Sequence, residues 1–226
     1  MGTSATTALV YPAQAHPLGR TLILGHGAGA GQESGFMTAF AHALAALGVD
    51  VVTFNFLYAE QRRKIPDRPL VLEACYRAVI DRVAREPGLA PSLFIGGKSM
   101  GGRIATQVAA ADPDLAIDGL VLLGYPLHPP GRLDEKRSKH LPAIGRPMLF
   151  VQGTRDAFGT PGELQPIFDA LSPRPVIYIV EGGDHSFKLT RKDPAMQAAA
   201  LANVQQAIVA WMKAAARVSP SSTPTP

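Results

Sequence analysis

The serine at position 99 lies in the segment GKSMG, where Gly97 and Gly101 stand two residues to either side of it. A serine at the tip of a sharp strand-to-helix turn can act as a nucleophile, and the crowded backbone of such a turn requires small neighbours. The preceding SLFIG has the composition of a strand, and the following RIATQVAAA that of a helix. The pattern therefore predicts a nucleophile elbow with Ser99 at its tip.

The letters GKS in the same segment also suggest a phosphate-binding loop. Such a loop requires a glycine five positions before the glycine of GKS, so that a flexible turn can wrap the phosphates. That position is Ser92, and the residues between are apolar and strand-like. Spacing and context therefore argue against a phosphate-binding loop.

A serine hydroxyl needs a histidine to take its proton and an acid to orient that histidine. Behind an elbow of this kind, the acid and the histidine follow the serine in that order. Asp156 follows the strand-like MLFVQGT, and His185 follows VIYIVEGG. Asp184 competes as the acid, but its place beside His185 on one loop makes side-on support of the imidazole awkward. The other candidate bases precede the acid in the chain: His26, His128 and His140.

An oxyanion formed at the serine needs two backbone N–H donors. The residue after the nucleophile, Met100, supplies one of them. The segment GHGAGAG follows the strand-like TLIL, and its glycines would let the backbone approach a substrate closely. Ala28 in this segment is the predicted second donor.

The same glycine-rich segment fits G-x-G-x-x-A through Gly25, Gly27 and Ala30, which is the pattern of a dinucleotide site. A dinucleotide site should have an acid at the end of the next strand. That strand, VDVVTFNF, ends in Asn55 and Phe56 instead. Dinucleotide binding therefore stays the less favoured alternative, and no cofactor is predicted.

Short apolar segments alternate with helical patterns along the whole chain. The predicted strands are TLILGHG, VDVVTFNF, PSLFIGG, IDGLVLLGY, RPMLFVQG and RPVIYIVEG, and ALVYPAQ could add an edge strand. Alternation of this kind predicts an α/β fold, a doubly wound and mostly parallel sheet with helices on both faces and ligands at the carboxyl ends of the strands. We expect a single domain over residues 1–216 and a disordered tail over residues 217–226, where VSPSSTPTP is rich in proline, serine and threonine.

Composition limits the kinds of partner that the chain is expected to bind. The formal charge is +4 with no long basic run, so nucleic-acid binding is not indicated. Cys75 is the only cysteine, which excludes disulfides and cysteine metal sites within the chain, and no metal is predicted. No apolar run is long enough to span a bilayer. We expect a cytoplasmic protein with no membrane partner, and the oligomeric state stays open.

Five segments together resemble a known family: GHGAGAG, GGKSMGGR, GYPLHPPG, VQGTRDAFG and GGDHSF. They resemble a small dienelactone-hydrolase-like branch of the α/β-hydrolase superfamily, similar to predicted bacterial hydrolases and to the hydrolase-like domain of subunits in the histone-acetyltransferase complex called NSL. The resemblance implies a minimal α/β-hydrolase fold without a cap domain, and catalytic roles for Ser99, Asp156 and His185. Dienelactone hydrolases proper carry a cysteine where this chain has Ser99, so lactone specificity is not implied.

The pocket is expected to be open, because PLHPPGRLDEKRSKHLPAI is too short to form a cap domain. Its predicted lining comprises His26, Tyr58, His128 and Phe158, and Lys98 is expected to point outward. The basic cluster Arg62, Arg63, Lys64 and Arg68 could attract an anionic acyl group, or could simply form a solvated face. The predicted function is a serine hydrolase acting on a small carboxylic ester or thioester. The alternatives are a catalytically idle interaction subunit and, less favoured, a dinucleotide-binding protein.

Overall fold

The strands of this protein form one seven-stranded sheet. The structure is a computed structural model, and it describes residues 5–14, 16–190 and 193–215. The strands are β1 (Ala8–Tyr11), β2 (Arg20–Gly25), β3 (Asp50–Phe54), β4 (Ser92–Lys98), β5 (Gly119–Leu123), β6 (Met148–Gly153) and β7 (Val176–Val180). Their order across the sheet is β1-β3-β2-β4-β5-β6-β7. The predicted tail, residues 217–226, lies outside the described residues, and the domain limits stay a prediction.

Six of the strands run parallel, and β1 alone pairs antiparallel, at the edge beside β3. All residues of β5 and β6 are buried, as expected for strands that are covered on both faces. The six apolar segments in the sequence are therefore strands, and ALVY supplies the edge strand.

Helices lie on both faces of this sheet. They are α1 (Gly35–Ala46), α2 (Leu57–Glu60), α3 (Pro69–Val83), α4 (Met100–Ala111), α5 (Pro161–Phe168) and α6 (Pro194–Ala215). One apolar core joins the sheet to α1 and α6, and a second joins its other face to α3, α4 and α5. The doubly wound architecture predicted from the alternation is confirmed. No helix in the described ranges is long and apolar enough to cross a membrane.

The connection between β5 and β6 carries no cap domain. Within residues 124–147 the only helical element is the 3₁₀ turn Leu141–Ala143. The segment is tied down from within: the Tyr125 hydroxyl donates to the carbonyl of Arg137 at 2.7 Å, and the Arg137 N–H donates to the carbonyl of Leu127 at 2.7 Å. The carboxyl ends of β4, β6 and β7 therefore open into a cleft that this short segment borders.

Candidate active site

Ser99 occupies a sharp turn between the last residue of β4 and the first residue of α4. Its backbone angles are φ 50° and ψ −114°. A positive φ is unfavourable for a residue with a side chain, and such strain persists only where the surroundings enforce it. The Ser99 N–H donates to the Leu123 carbonyl at 2.9 Å, and the Arg103 N–H donates to the Ser99 carbonyl at 3.0 Å. The turn thus has the geometry that the elbow prediction requires.

The glycines beside Ser99 allow this turn to pack directly on β2. A Cβ atom at Gly101 would lie 2.1 Å from the Gly25 carbonyl oxygen, and one at Gly97 would lie 2.3 Å from the same atom. A side chain at either position would therefore push α4 away from the sheet. The close approach of the turn to β2 explains why the sequence has glycine at positions 97 and 101.

Ser99, His185 and Asp156 form one chain of hydrogen bonds. His185 Nε2 lies 2.8 Å from Ser99 Oγ, and its Nδ1 lies 2.8 Å from Asp156 Oδ2. In the tautomer that these contacts require, the serine hydroxyl donates to Nε2 and the Nδ1–H donates to the carboxylate. The three residues come from loops after β4, β6 and β7. Parallel strands bring these loops together because their carboxyl ends share one edge of the sheet.

Asp156 is held by further donors, among them one residue that sequence reasoning missed. Its Oδ1 accepts the Phe158 N–H at 2.8 Å, and its Oδ2 accepts Gln152 Nε2 at 2.8 Å. Gln152 is fully buried and also donates to the carbonyls of Gly159 and Tyr125, at 2.6 and 3.3 Å. The sequence signal for this role was a glutamine at the end of the apolar strand MLFVQG, because a buried amide needs hydrogen-bond partners.

The competing acid, Asp184, has a different role in the structure. Its Oδ1 accepts the N–H groups of Ser186 and Lys188, at 2.8 and 2.9 Å. Asp184 therefore caps the turn that carries His185, while Asp156 contacts the imidazole.

The two predicted oxyanion donors, Met100 and Ala28, belong to the lining of the cleft that contains Ser99. Met100 begins α4, and Ala28 lies in the loop after β2; both line the cleft. Neither N–H donates to an acceptor within the described part of the chain. The loop lies against the elbow, since a Cβ atom at Gly27 would be 3.7 Å from Ser99 Cβ. The use of these two N–H groups as an oxyanion site stays a prediction.

Comparison with known proteins agrees with this geometry. The model of the alpha/beta hydrolase domain matches residues 19–213. The chain belongs to the alpha/beta hydrolase domain family. This membership confirms the predicted fold class and the predicted hydrolase-type enzyme.

Solved structures show the same fold at low sequence identity. An alpha-beta serine hydrolase homologue from Coxiella burnetii is 18% identical, with a TM-score of 0.72 over 90% of this chain and 91% of that chain. XC6422 from Xanthomonas campestris, described as a serine hydrolase without lid, is 22% identical, with a TM-score of 0.70 over 99% and 94% of the two chains. A dienelactone hydrolase from Anabaena variabilis is 18% identical, with a TM-score of 0.65 over 92% and 96%.

The cleft of this hydrolase has a volume of about 590 Å³ and includes Ser99 and His185. Phe158 lines it as expected, and its ring lies on the His185 ring with centroids 4.3 Å apart. Two arginines that the sequence did not single out for the pocket, Arg103 and Arg137, also line the cleft.

The expectation that His26 and Tyr58 line the pocket is wrong. Both are buried beneath the cleft, with exposed fractions of 0% and 1%. His26 accepts the Phe56 N–H at Nε2, at 3.1 Å, and its Nδ1 contacts the Gly27 carbonyl at 2.8 Å. Burial lowers the pKa of His26, so its neutral form is favoured. His26 supports the loop that carries Ala28, and the Tyr58 ring packs against it.

The expectation for His128 is wrong for the same reason. Its side chain is buried between two partners, with Nδ1 2.9 Å from the Pro129 carbonyl and Nε2 3.2 Å from Glu163 Oε1. It therefore ties the segment after β5 to α5 and does not line the cleft.

Lys98 does not point outward. Its exposed fraction is 8%, and its Nζ donates to the His185 backbone carbonyl at 2.5 Å. Burial lowers the pKa of Lys98 to about 8, while Asp156 and Asp184 oppose that shift. A side chain that leaves the last residue of a strand can point to either face, and here it turns into the site.

The basic cluster lies beside the cleft and does not line it. Arg62, Arg63 and Lys64 border a separate surface depression, and Arg63 pairs with Asp67 at 2.6 Å. None of the four residues of the cluster lines the cleft that contains Ser99.

Proposed function

We propose that this hydrolase cleaves a small carboxylic ester or thioester through an acyl-enzyme intermediate on Ser99. The observation that carries the proposal is the continuous hydrogen-bond chain from Asp156 through His185 to Ser99, with both links 2.8 Å long. Such a chain couples a weak nucleophile to a base and fixes the tautomer of that base.

In the acylation step, Ser99 Oγ attacks the carbonyl carbon while its proton passes to His185 Nε2. The carbonyl π electrons move to oxygen, and the resulting oxyanion accepts hydrogen bonds from the N–H groups of Met100 and Ala28. When the tetrahedral intermediate collapses, the bond to the alkoxide or thiolate breaks. The leaving group takes the proton from the imidazolium, and Asp156 stabilises the imidazolium while it exists.

In the deacylation step, a water molecule takes the place of the leaving group. His185 removes a proton from this water as its oxygen attacks the acyl carbon. The second tetrahedral intermediate collapses by breaking the bond to Ser99 Oγ, which receives the proton. The products are a carboxylic acid and the free enzyme.

The alternatives make different demands on the same residues. An idle interaction subunit would not need an aligned hydroxyl, imidazole and carboxylate. A dinucleotide would need the position after β3, where the Asn55 side chain accepts the Gln32 N–H at 2.8 Å. We propose the hydrolase function because it uses the contacts that the site contains.

Labelling with a fluorophosphonate probe tests the proposal, because the probe reacts only with an activated serine. Ser99→Ala should abolish labelling and lower kcat on p-nitrophenyl acetate by about 10⁶-fold, with little change in Tm. Ser34→Ala is the matched control, since Ser34 borders the same cleft and its side chain caps no helix. Absence of labelling in the wild-type protein, or labelling that persists in Ser99→Ala, contradicts the proposal.

A further inference from the structure

Two arginines line the cleft beside Ser99 without a carboxylate partner. Arg103 lies on the first turn of α4, and Arg137 comes from the segment between β5 and β6. Neither forms a salt bridge within the described residues, although Arg132 on the same segment pairs with Glu135. Glu73 favours the Arg103 charge without forming a salt bridge with it, so no carboxylate of the described residues contacts either guanidinium.

The two side chains are placed by the fold. The Arg137 backbone is anchored on both sides, by Tyr125 and Leu127, but its guanidinium has no hydrogen-bond partner in the described part of the chain. The Arg103 Nε atom is buried without a partner, and its Nη1 donates only to Gln107, at 3.3 Å. A buried N–H donor without an acceptor is unfavourable unless a ligand supplies one.

The electrostatics of the pair also favour an anion. The pKa of Arg103 is lowered, first by burial and then by the positive charge of Arg137. Among the residues that the structure describes, Asp67 is the only acid that lines the cleft, and Arg63 pairs with it at 2.6 Å. Lys98, the third cation of the lining, donates to the His185 carbonyl. An anionic ligand would relieve the repulsion between the two arginines.

We infer that the substrate carries an anionic group, a carboxylate or a phosphate, which the guanidinium groups of Arg103 and Arg137 bind beside Ser99. This inference rests on the proposed function. Guanidinium groups bind both anions by paired hydrogen bonds, so the shared chemistry defines the site. The sequence pattern suggested a different anion site, the cluster of Arg62, Arg63, Lys64 and Arg68, but none of these four residues lines the cleft.

The test compares charged and neutral substrates in matched pairs. The carboxylate pair is p-nitrophenyl hemiglutarate and p-nitrophenyl butyrate; the phosphate pair is S-butyryl phosphopantetheine and S-butyryl pantetheine. In at least one pair, kcat/KM should favour the anion by about 10-fold or more, as expected for charge-assisted hydrogen bonds. The preferred pair identifies which anion the site takes.

Arg137→Gln and Arg103→Gln should each lower this charged-to-neutral ratio by about 5-fold or more. Arg132→Gln is the matched control, because it removes one exposed charge from the same segment and should keep the ratio. The inference is overturned if the wild-type enzyme shows no preference in either pair, or if Arg132→Gln lowers the ratio as much as Arg137→Gln does. Fluorophosphonate labelling of the same preparations separates failure of this inference from failure of the proposed function.

A different observation supports a second inference, about Lys98. Gly124 leaves space for the Lys98 ammonium group beside the loop that carries His185. A Cβ atom at Gly124 would lie 2.9 Å from Lys98 Nζ and 2.9 Å from the His185 carbonyl oxygen, so a side chain there would displace this contact. The rings of Phe36 and Phe187 lie near the ammonium, with centroids 5.6 and 5.8 Å away.

Three titratable groups face this ammonium. Asp156 and Asp184 attract it, and His185 accepts its hydrogen bond through the backbone. Gly124, Phe36 and Phe187 contribute no charge. The two carboxylates therefore favour the charged form of Lys98, which donates to the His185 carbonyl.

The geometry points to Lys98 as a positioning residue that holds the loop carrying His185 against Ser99. This inference also rests on the proposed function. Lys98 is the residue directly before the nucleophile, and its contact reaches 87 residues along the chain to the base. The Lys98 side chain thus connects the turn that carries Ser99 to the loop that carries His185.

Two variants test the hydrogen bond. Lys98→Gln keeps an N–H donor and removes the charge, whereas Lys98→Met removes both. Only Lys98→Met should lower kcat, by about 10-fold or more, because the loop that carries His185 loses its tether. The donor that Lys98→Gln retains should rescue kcat.

Lys188→Gln is the control, since it removes an exposed charge from the same loop without touching the His185 carbonyl. Equal kcat in Lys98→Gln and Lys98→Met overturns the inference. Retained fluorophosphonate labelling in the wild type shows that the proposed function stands in either case.

Discussion

At the scale of single residues, Asp156 shows how the fold places a buried carboxylate beside a histidine. Its exposed fraction is 1%, and no lysine or arginine forms a salt bridge with it among the described residues. Hydrogen bonds from Phe158, Gln152 and His185 satisfy its oxygens instead. Burying a carboxylate is costly unless donors surround it, so these three contacts define a position that no other acid in the described ranges has.

The two acids near His185 can be distinguished by isosteric substitution. Asp156→Asn should lower kcat by about 10⁴-fold, because an amide no longer favours the imidazole tautomer that accepts the serine proton. Asp184→Asn should lower kcat by about 10-fold or less, since it weakens a turn and leaves the imidazole contact intact. Steady-state kinetics on p-nitrophenyl butyrate, with fluorophosphonate labelling, measures both. A larger loss in Asp184→Asn would mean that the acid has been misassigned.

At the scale of secondary-structure elements, the close packing of β4 against its neighbours sets the position of the elbow. Gly96 lies in β4 opposite Val121 of β5. A Cβ atom at Gly96 would lie 1.9 Å from the Val121 carbonyl oxygen, far inside van der Waals contact. The backbone itself would have to move, and with it the strand end that carries Ser99.

Replacing this glycine tests how tightly the strand is held. Gly96→Ala should lower the free energy of unfolding by about 3 kcal/mol, because overpacking against backbone is relieved only by shifting the strand. Gly35→Ala is the control: a Cβ atom there meets nothing within 4 Å at the start of α1, and alanine should stabilise the helix by up to about 1 kcal/mol. Urea unfolding of both variants gives the comparison. If Gly96→Ala were as stable as Gly35→Ala, β4 would have room for a side chain at position 96, and the close packing against Val121 would be contradicted.

At the scale of the whole molecule, the cleft lies open at one edge of the sheet. The segment between β5 and β6 borders it and supplies Arg137, but its only helical element within the described residues is one short 3₁₀ turn. A long acyl chain would therefore extend into water beyond the cleft. Burial of each methylene contributes about 0.8 kcal/mol, and that contribution is absent where no protein covers the chain.

This openness predicts the acyl-chain preference of the enzyme. On neutral p-nitrophenyl esters, kcat/KM should reach its maximum at about four to six carbons and should then fall, by about 10-fold or more for dodecanoate. The fall is expected because an apolar chain that crosses the rim would desolvate Arg103 and Arg137 without binding them. Initial rates below the critical micelle concentration provide the measurement, with acetate as the short reference. A value of kcat/KM that continues to rise up to dodecanoate would show that the protein covers long acyl chains.

The strand order along the chain and the elbow were predictable from the sequence because both depend on local constraints. Buried parallel strands require continuous apolar segments, and a sharp turn around Ser99 requires glycine at fixed positions. Asp156 and His185 could be named from chain order, since residues that follow parallel strands must meet at one edge of the sheet. These inferences concern where the backbone goes, and the backbone is governed mainly by nearby residues.

Only the tertiary structure decided which side chains face the cleft. His26 is buried because it accepts a hydrogen bond from Phe56, 30 residues away, and Lys98 turns inward to a carbonyl 87 residues away. Arg103 and Arg137 line the same cleft although one comes from α4 and the other from the segment after β5. The direction of a side chain depends on partners that are distant in the chain, whose identity no local pattern contains. The sequence therefore determined the scaffold and the order of its polar residues, and long-range packing determined the lining and charge of the site.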